Sequence, residues 1–283
     1  MHFLLTLLNG YMVVGTVISG ANTNIYMLQV DLNLNIVSGY PKMLTSTGKY
    51  EIGGFIQLAS GEFVIVGSGF NTSNNTDDVL YIKTNAFGTP NLGPKLIGVG
   101  GTVSTDKAYG VVESADGKVV IVGYTFNNTS STLDAFIMKK SADLLQSFAD
   151  APIVGANNEI ALGVANIDNS EGFMVVGTTA ALGVSKPTDA LFIKTDINGN
   201  GQMPFKTYGS TTLFESAKAV AKTGTGDFIT CGYTTTSTGI TNLYFMNVDK
   251  TGAAINGFPK SISSSFSGKL PKIYESWKAP ILP

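Results

Sequence analysis

The chain is poor in the residues that most protein chemistry relies on. Its 283 residues include one histidine, His2, one cysteine, Cys231, and one tryptophan, Trp277. A lone cysteine excludes a disulfide framework and a cysteine-rich zinc site. A lone histidine excludes a histidine-based catalytic triad or a multi-histidine metal centre within the chain. Charged residues make up 13% of the sequence, against about 25% in an ordinary globular protein. They nearly balance, 18 basic against 20 acidic for a net charge of −2. No basic field is therefore present to attract nucleic acid or an anionic membrane surface. So little charge together with 43% apolar residues excludes a disordered chain. No apolar run reaches the roughly 20 residues that span a bilayer. The longest, residues 1–15, lacks the basic start and A-x-A site of a signal peptide. Neither nucleic-acid binding nor membrane insertion is expected. Glycine, by contrast, is plentiful: 33 of 283 residues, where roughly 7% is usual.

The glycines mark a repeat. An apolar run ending in glycine recurs five times, at Met12–Gly15, Val64–Gly67, Val120–Gly123, Met174–Gly177 and Ile229–Gly232, spaced by 52, 56, 54 and 55 residues. A second apolar run follows each glycine, starting at Asn24, Asp78, Asp134, Asp189 and Asn242. Two landmarks keeping step over five copies define a repeat of about 54 residues, the period of a stacked or radial array. An acidic residue precedes four of the glycines: Glu51, Asp106, Glu159 and Glu215, at 16, 17, 18 and 17 residues upstream. The first copy lacks this element, while Glu275-Ser-Trp-Lys-Ala279 matches Glu215-Ser-Ala-Lys-Ala219. The copies read as 1–50, 51–105, 106–158, 159–214 and 215–274 within a single domain. Residues 275–283 are expected to complete the first.

Each copy holds four short β-prone runs, shown by the second: strand A at 55–58, B at 63–66, C at 79–82 and a weaker D at 94–97. Turn signals such as Asn9-Gly10, Ser60-Gly61 and Asp116-Gly117 separate A from B. Proline recurs near D, at 41, 94, 152, 204 and 259, and belongs on an edge strand because it cannot donate to a ladder. Runs B and C are apolar without alternation, the pattern of strands buried on both faces. Four-stranded sheets sandwiched between copies of themselves are the blades of a β-propeller. The expected fold is all-β, a five-bladed propeller of four-stranded antiparallel blades. The alternatives are an open solenoid and part of a larger ring.

The fourth copy, Asp189-Ala-Leu-Phe-Ile-Lys-Thr-Asp-Ile-Asn-Gly-Asn200, resembles the repeat of secreted and cell-surface bacterial β-propeller proteins, as does the wider pattern of acid, strand, glycine turn and Val-Ile-Val-Gly. The resemblance covers nearly the whole chain. It implies the propeller fold and an extracellular or cell-surface location, and it assigns no chemistry.

Two groups of residues are candidate sites. If strand A is innermost, the D–A and B–C connections share one face, and Glu51, Asp106, Glu159, Glu215 and Glu275 circle one mouth of the central channel. Such a ring could bind a cation or a polyhydroxylated ligand. Alternatively, each carboxylate accepts backbone N–H bonds and locks blade to blade, a reading favoured by its presence in every copy. The second group lies in polar B–C segments, 68–76, 124–132 and 233–239, where loops on a rigid scaffold often carry binding residues. Phe70, Tyr124, Phe126 and Tyr233 could stack on sugar faces there, or cover the blade ends.

No metal or cofactor is otherwise called for. Asp196-Ile-Asn-Gly-Asn-Gly201 matches the start of an EF-hand loop, but its twelfth position is Thr207 and no helices flank it, so calcium is at most a weak candidate. Cys231 stands where other copies have valine and is expected to be a small buried hydrophobe. His2 falls on a strand.

The sequence thus points to a binding or scaffold module for protein or glycan partners, acting through the B–C/D–A face and open to a place in a larger assembly. A lectin-like module is one alternative. Glycoside hydrolysis, which needs only two carboxylates, is the other. Catalysis is not expected, because no carboxylate stands out as unique to one blade.

Overall fold

Each copy of the repeat folds into one antiparallel sheet. The computed structural model describes residues 2–6, 10–45, 48–99, 104–127, 132–153, 157–168, 171–180, 188–236, 238–255 and 257–262. Blade one contains β1 (His2–Thr6), β2 (Gly10–Ser19), β3 (Asn22–Asp31) and β4 (Lys42–Met43). Blade two contains β5 (Tyr50–Gln57), β6 (Phe63–Asn71), β7 (Thr76–Thr84) and β8 (Pro90–Ile97). Blade three contains β9 (Thr105–Glu113), β10 (Val119–Asn127), β11 (Thr132–Lys140) and β12 (Ser147–Ile153). Blade four contains β13 (Asn158–Ile167), β14 (Gly172–Ala180), β15 (Asp189–Thr195) and β16 (Gly201–Tyr208). Blade five contains β17 (Leu213–Lys222), β18 (Phe228–Thr236), β19 (Thr241–Val248) and β20 (Lys260–Ile262). In every sheet the strands pair in chain order. The fold is an all-β, five-bladed propeller.

The unbroken apolar runs are explained by packing on both faces. Val64, Ile65 and Val66 of β6 are all fully buried, as are Val120, Ile121 and Val122 of β10. Alternate residues serve opposite neighbours. Met12 and Val14 of blade one pack with Phe63 and Ile65 of blade two. Val64 and Val66 pack with Val119 and Ile121 of blade three. Val120 and Val122 pack with Phe173 and Val175 of blade four. Met174 and Val176 pack with Phe228 of blade five. Each blade thus presents a leading face to the next blade and a trailing face to the one before. The fourth strands are the exposed edges, and β8, β12 and β16 each contain a proline, in keeping with prolines on edge strands.

The repeated glycine has a steric cause. In blades two to five the first strand carries a β-bulge at Gly53, Tyr109, Leu162 or Lys218. The bulge drives a carbonyl oxygen against the neighbouring strand. A Cβ at Gly67, Gly123 or Gly177 would lie 1.9 Å from the oxygen of Glu51, Lys107 or Ile160, and at Gly232 it would lie 1.8 Å from that of Ser216. Only glycine leaves room for so close a backbone approach.

Two expectations are corrected, and a third is not reached by the described residues. The strands are longer than their apolar runs, so the B–C segments are mostly strand: β6 continues to Asn71, β10 to Asn127 and β18 to Thr236. Phe70, Tyr124, Phe126 and Tyr233 therefore stand on B strands rather than on loops, because alternating Thr, Ser and aromatic residues suit a half-buried pleat. Cys231 is half-buried rather than sealed in the core. The segment 275–283, with Glu275, lies outside the described residues.

Candidate functional site

The acidic ring is built from the start of each first strand, where backbone pairing fixes which way a side chain points. Asp106 pairs with Thr125, Glu159 with Thr179 and Glu215 with Thr234, each opposite the residue two beyond the repeat glycine. All three carboxylates are buried and serve the D–A connection. The Val99 amide donates to Asp106 at 2.6 Å and the Ser104 hydroxyl at 3.1 Å. The Asn157 amide donates to Glu159 at 3.1 Å. Ser210 donates to Glu215 from both backbone and side chain.

These bonds do not fully repay burial. Burial pushes the Asp106 carboxyl up to about 6, helped by the nearby Asp78 and opposed by hydrogen bonds from Thr125, Val99 and Ser104. Burial likewise raises Glu215. Three members of the predicted ring are thus buried hydrogen-bond acceptors holding a connection to its own blade.

Glu51 is not a fourth member. It pairs with Ser68, one residue beyond Gly67, so Tyr50 occupies the position of Asp106, and Glu51 that of Lys107, Ile160 and Ser216. A slip of one residue turns a side chain to the opposite face of a strand. The Glu51 side chain is 64% exposed.

That displacement creates a cluster that, among the described residues, stands at the junction of blades two and three. The Lys107 ammonium lies 3.3 Å from Glu51 Oε2 and 3.5 Å from Asp77 Oδ2. Sharing one nitrogen, the two carboxylate oxygens lie less than about 7 Å apart. Burial alone would depress Lys107, but Glu51 and Asp77 outweigh it and hold the ammonium above its usual range. Beside it stand Tyr109 and Tyr124, with ring centroids 6.0 Å apart and a hydrogen bond between their hydroxyls. Burial raises both phenols. Tyr109 is the bulge residue of β9, and a bulge re-aims its side chain.

Among the sequence candidates, Glu51 and Tyr124 meet here. Phe70, paired opposite Asp77 in blade two, lies under the Lys49 ammonium (5.8 Å), and Tyr233 of blade five lies under Lys218 (5.3 Å). Phe126 is half-buried on β10. Asp77, Lys107 and Tyr109 escape a reading of the sequence, because each is unexceptional alone and they come from strands of two different blades. The discoverable signal was the change of residue type at one repeat position, from glutamate through lysine to isoleucine and serine. At the EF-hand-like turn the Asp196 carboxylate accepts bonds from the Asn198 and Asn200 amides and the Asn200 side chain. Among the described residues no three His, Cys, Asp or Glu side chains group to hold a metal.

No protein-family model matches the chain, and no curated protein matches it. The resemblance to secreted bacterial repeat proteins thus stands as a likeness of fold. Solved structures do match. A protein of unknown function from Dyadobacter fermentans superposes with a TM-score of 0.62 at 10% identity, over 93% of this chain and 81% of its own. An exo-β-1,3-galactanase from Clostridium thermocellum gives 0.44 at 13% identity, over 84% of this chain and 56% of its own. An endo-1,4-β-xylanase from Bacteroides thetaiotaomicron gives 0.41 at 11%, over 91% and 94%. The expectation that catalysis is absent is corrected: two of these neighbours are glycoside hydrolases. Its premise also fails, since among the described residues Glu51 and Asp77 are the two carboxylates that share one lysine, Lys107. At such identities the likeness is one of fold and assigns this chain no activity.

Proposed function

We propose that the chain recognises a carbohydrate at the junction of blades two and three. The observation that supports this is the Glu51–Lys107–Asp77 ion pair beside the Tyr109–Tyr124 pair. The two carboxylates accept from vicinal hydroxyls, the ammonium donates to a ring or hydroxyl oxygen, and a tyrosine ring offers an apolar face to a pyranose. Lys107 holds the two carboxylates in place before ligand arrives, which lowers the ordering cost of binding. The presence of two carboxylates, Glu51 and Asp77, beside one another favours a second reading on the same ligand, hydrolysis of a glycosidic bond.

A glycan array followed by titration calorimetry tests the binding. Lys107→Met and Tyr124→Ala should each weaken the best glycan at least tenfold, about 1.4 kcal/mol, with unchanged melting curves. Failure of the native chain to bind any glycan, or native affinity in both variants, would overturn the assignment. Chromogenic glycosides separate the readings: turnover by the native chain that Glu51→Gln removes adds hydrolysis to binding.

A further inference from the structure

We propose, on the carbohydrate reading above, that the ligand at the junction of blades two and three is an amino sugar with a free amine, bound as the ammonium between Glu51 and Asp77. Charge at this site does not balance. The Lys107 ammonium lies 3.3 Å from Glu51 and 3.5 Å from Asp77, and among the described residues no other cation pairs with either. Two carboxylates against one ammonium leave one negative charge uncompensated. Lys49 approaches the same face of blade two, because Phe70 is paired with Asp77. Its ammonium lies over the Phe70 ring and, among the described residues, forms an ion pair with neither carboxylate.

Both acids are departures from the repeat. The equivalents of Glu51 are Lys107, Ile160 and Ser216. Asp77 stands opposite the residue three beyond the repeat glycine, and its equivalents there are Thr23, Leu133 and Thr241. Where the other blades carry a neutral or cationic group, blade two carries two carboxylates, and both turn to the same lysine. The excess charge is also the part that a ligand meets. The Glu51 side chain is 64% exposed and that of Asp77 32%, against 23% for Lys107. The lysine is the most covered of the three, so the accessible charge is negative.

An ammonium on a pyranose ring answers each of these features. It donates charge-assisted hydrogen bonds to both carboxylates and neutralises the excess. Lys107 keeps its place, holding the carboxylates apart and donating to a neighbouring hydroxyl. Burial raises the phenols of Tyr109 and Tyr124, so both rings stay uncharged and offer electron-rich faces to a cation. A uronate or sulfated sugar would set a further anion against the two carboxylates, an arrangement of like charges that selects against it. A lysine side chain brings the same ammonium, but without the hydroxyls for Lys107 or the ring face for a tyrosine.

Calorimetric titration of the native chain with a glucosamine tetramer and with its N-acetylated counterpart reads the difference, at about pH 5.5, where the sugar amine is charged. The free amine should bind at least tenfold more tightly, and the ratio should shrink in about 0.5 M sodium chloride. Asp77→Asn and Glu51→Gln should each bring the ratio of the two affinities towards one. Equal affinity for the two tetramers, or an unchanged ratio in both variants, would overturn the amino-sugar assignment and leave carbohydrate recognition standing. A glycan array led by neutral or acidic sugars would do the same. Binding of no glycan at all would overturn both. Tighter binding of a lysine tetrapeptide than of the glucosamine tetramer would also overturn the assignment and give the site to a basic peptide.

Discussion

Replacing Gly177 by alanine should destabilise the protein by at least about 3 kcal/mol, the upper range of overpacking costs. For a chain of this size that lowers the melting temperature by roughly 6–12 °C. The added Cβ would sit 1.9 Å from the Ile160 carbonyl oxygen and 2.9 Å from its carbon. Both atoms are backbone, held in the β13–β14 ladder and pressed inward by the bulge at Leu162, so neither can turn aside as a side-chain tip would. Relief requires undoing the bulge, and with it the strand that lies against blades three and five. Gly224 is the control. It has open space where its Cβ would go, and Gly224→Ala should be neutral or slightly stabilising because it restricts the unfolded chain. Thermal unfolding of the two variants side by side checks the argument. Equal melting temperatures would mean that the recurring glycine answers to something other than the bulge.

The second large effect is one of pH. Asp106 is fully buried, with its carboxyl raised from 3.8 to about 6 by burial first and by Asp78 last. Because the folded value lies above the unfolded one, the native state holds this proton more tightly. The stability contributed is complete below pH 3.8 and is lost as pH rises through 6. Over that interval the site should remove roughly 2–3 kcal/mol. Asp106→Asn cannot ionise and should flatten most of the decline, while keeping an oxygen for the Val99 amide. Glu215, also raised by burial, leaves a smaller slope of the same sign. The carboxyls of Asp116 and Asp249 are burdened by burial but held below their ordinary value by hydrogen bonds, so they act at lower pH. Urea unfolding at pH 4.5 and 7.5 gives the comparison. A variant as pH-sensitive as the native chain would place the titration elsewhere.

Much of this architecture can be read from the chain alone, because a radial array writes its period into the sequence. Five glycine-terminated runs give five sheets. The apolar residues without alternation in Val64–Val66 report burial on both faces, and the recurring prolines fall on a fourth strand or directly before it. What a period cannot convey is register to the single residue. Glu51 and Glu159 lie 16 and 18 residues from their glycines, and the two deviations look alike. Glu159 keeps its place because six residues separate the paired Asn166 and Phe173, where five separate the equivalent Glu113 and Val119, whereas Glu51 has no such compensation and changes face. Nor can a period convey bulges, which carry Tyr109 onto Tyr124. The candidate site rests on both effects: Lys107, Asp77 and Tyr109 gain meaning only once blade three is set against blade two.

Binding stoichiometry tests the account most directly. Glu51, Asp77, Lys107 and the tyrosine pair come together at one junction, so a glycan titrated calorimetrically against the native chain should saturate one site per chain. Glu51→Gln combined with Asp77→Asn should abolish that site. Several equivalent sites per chain, or binding indifferent to the double substitution, would contradict it and move recognition to a feature that all the blades share.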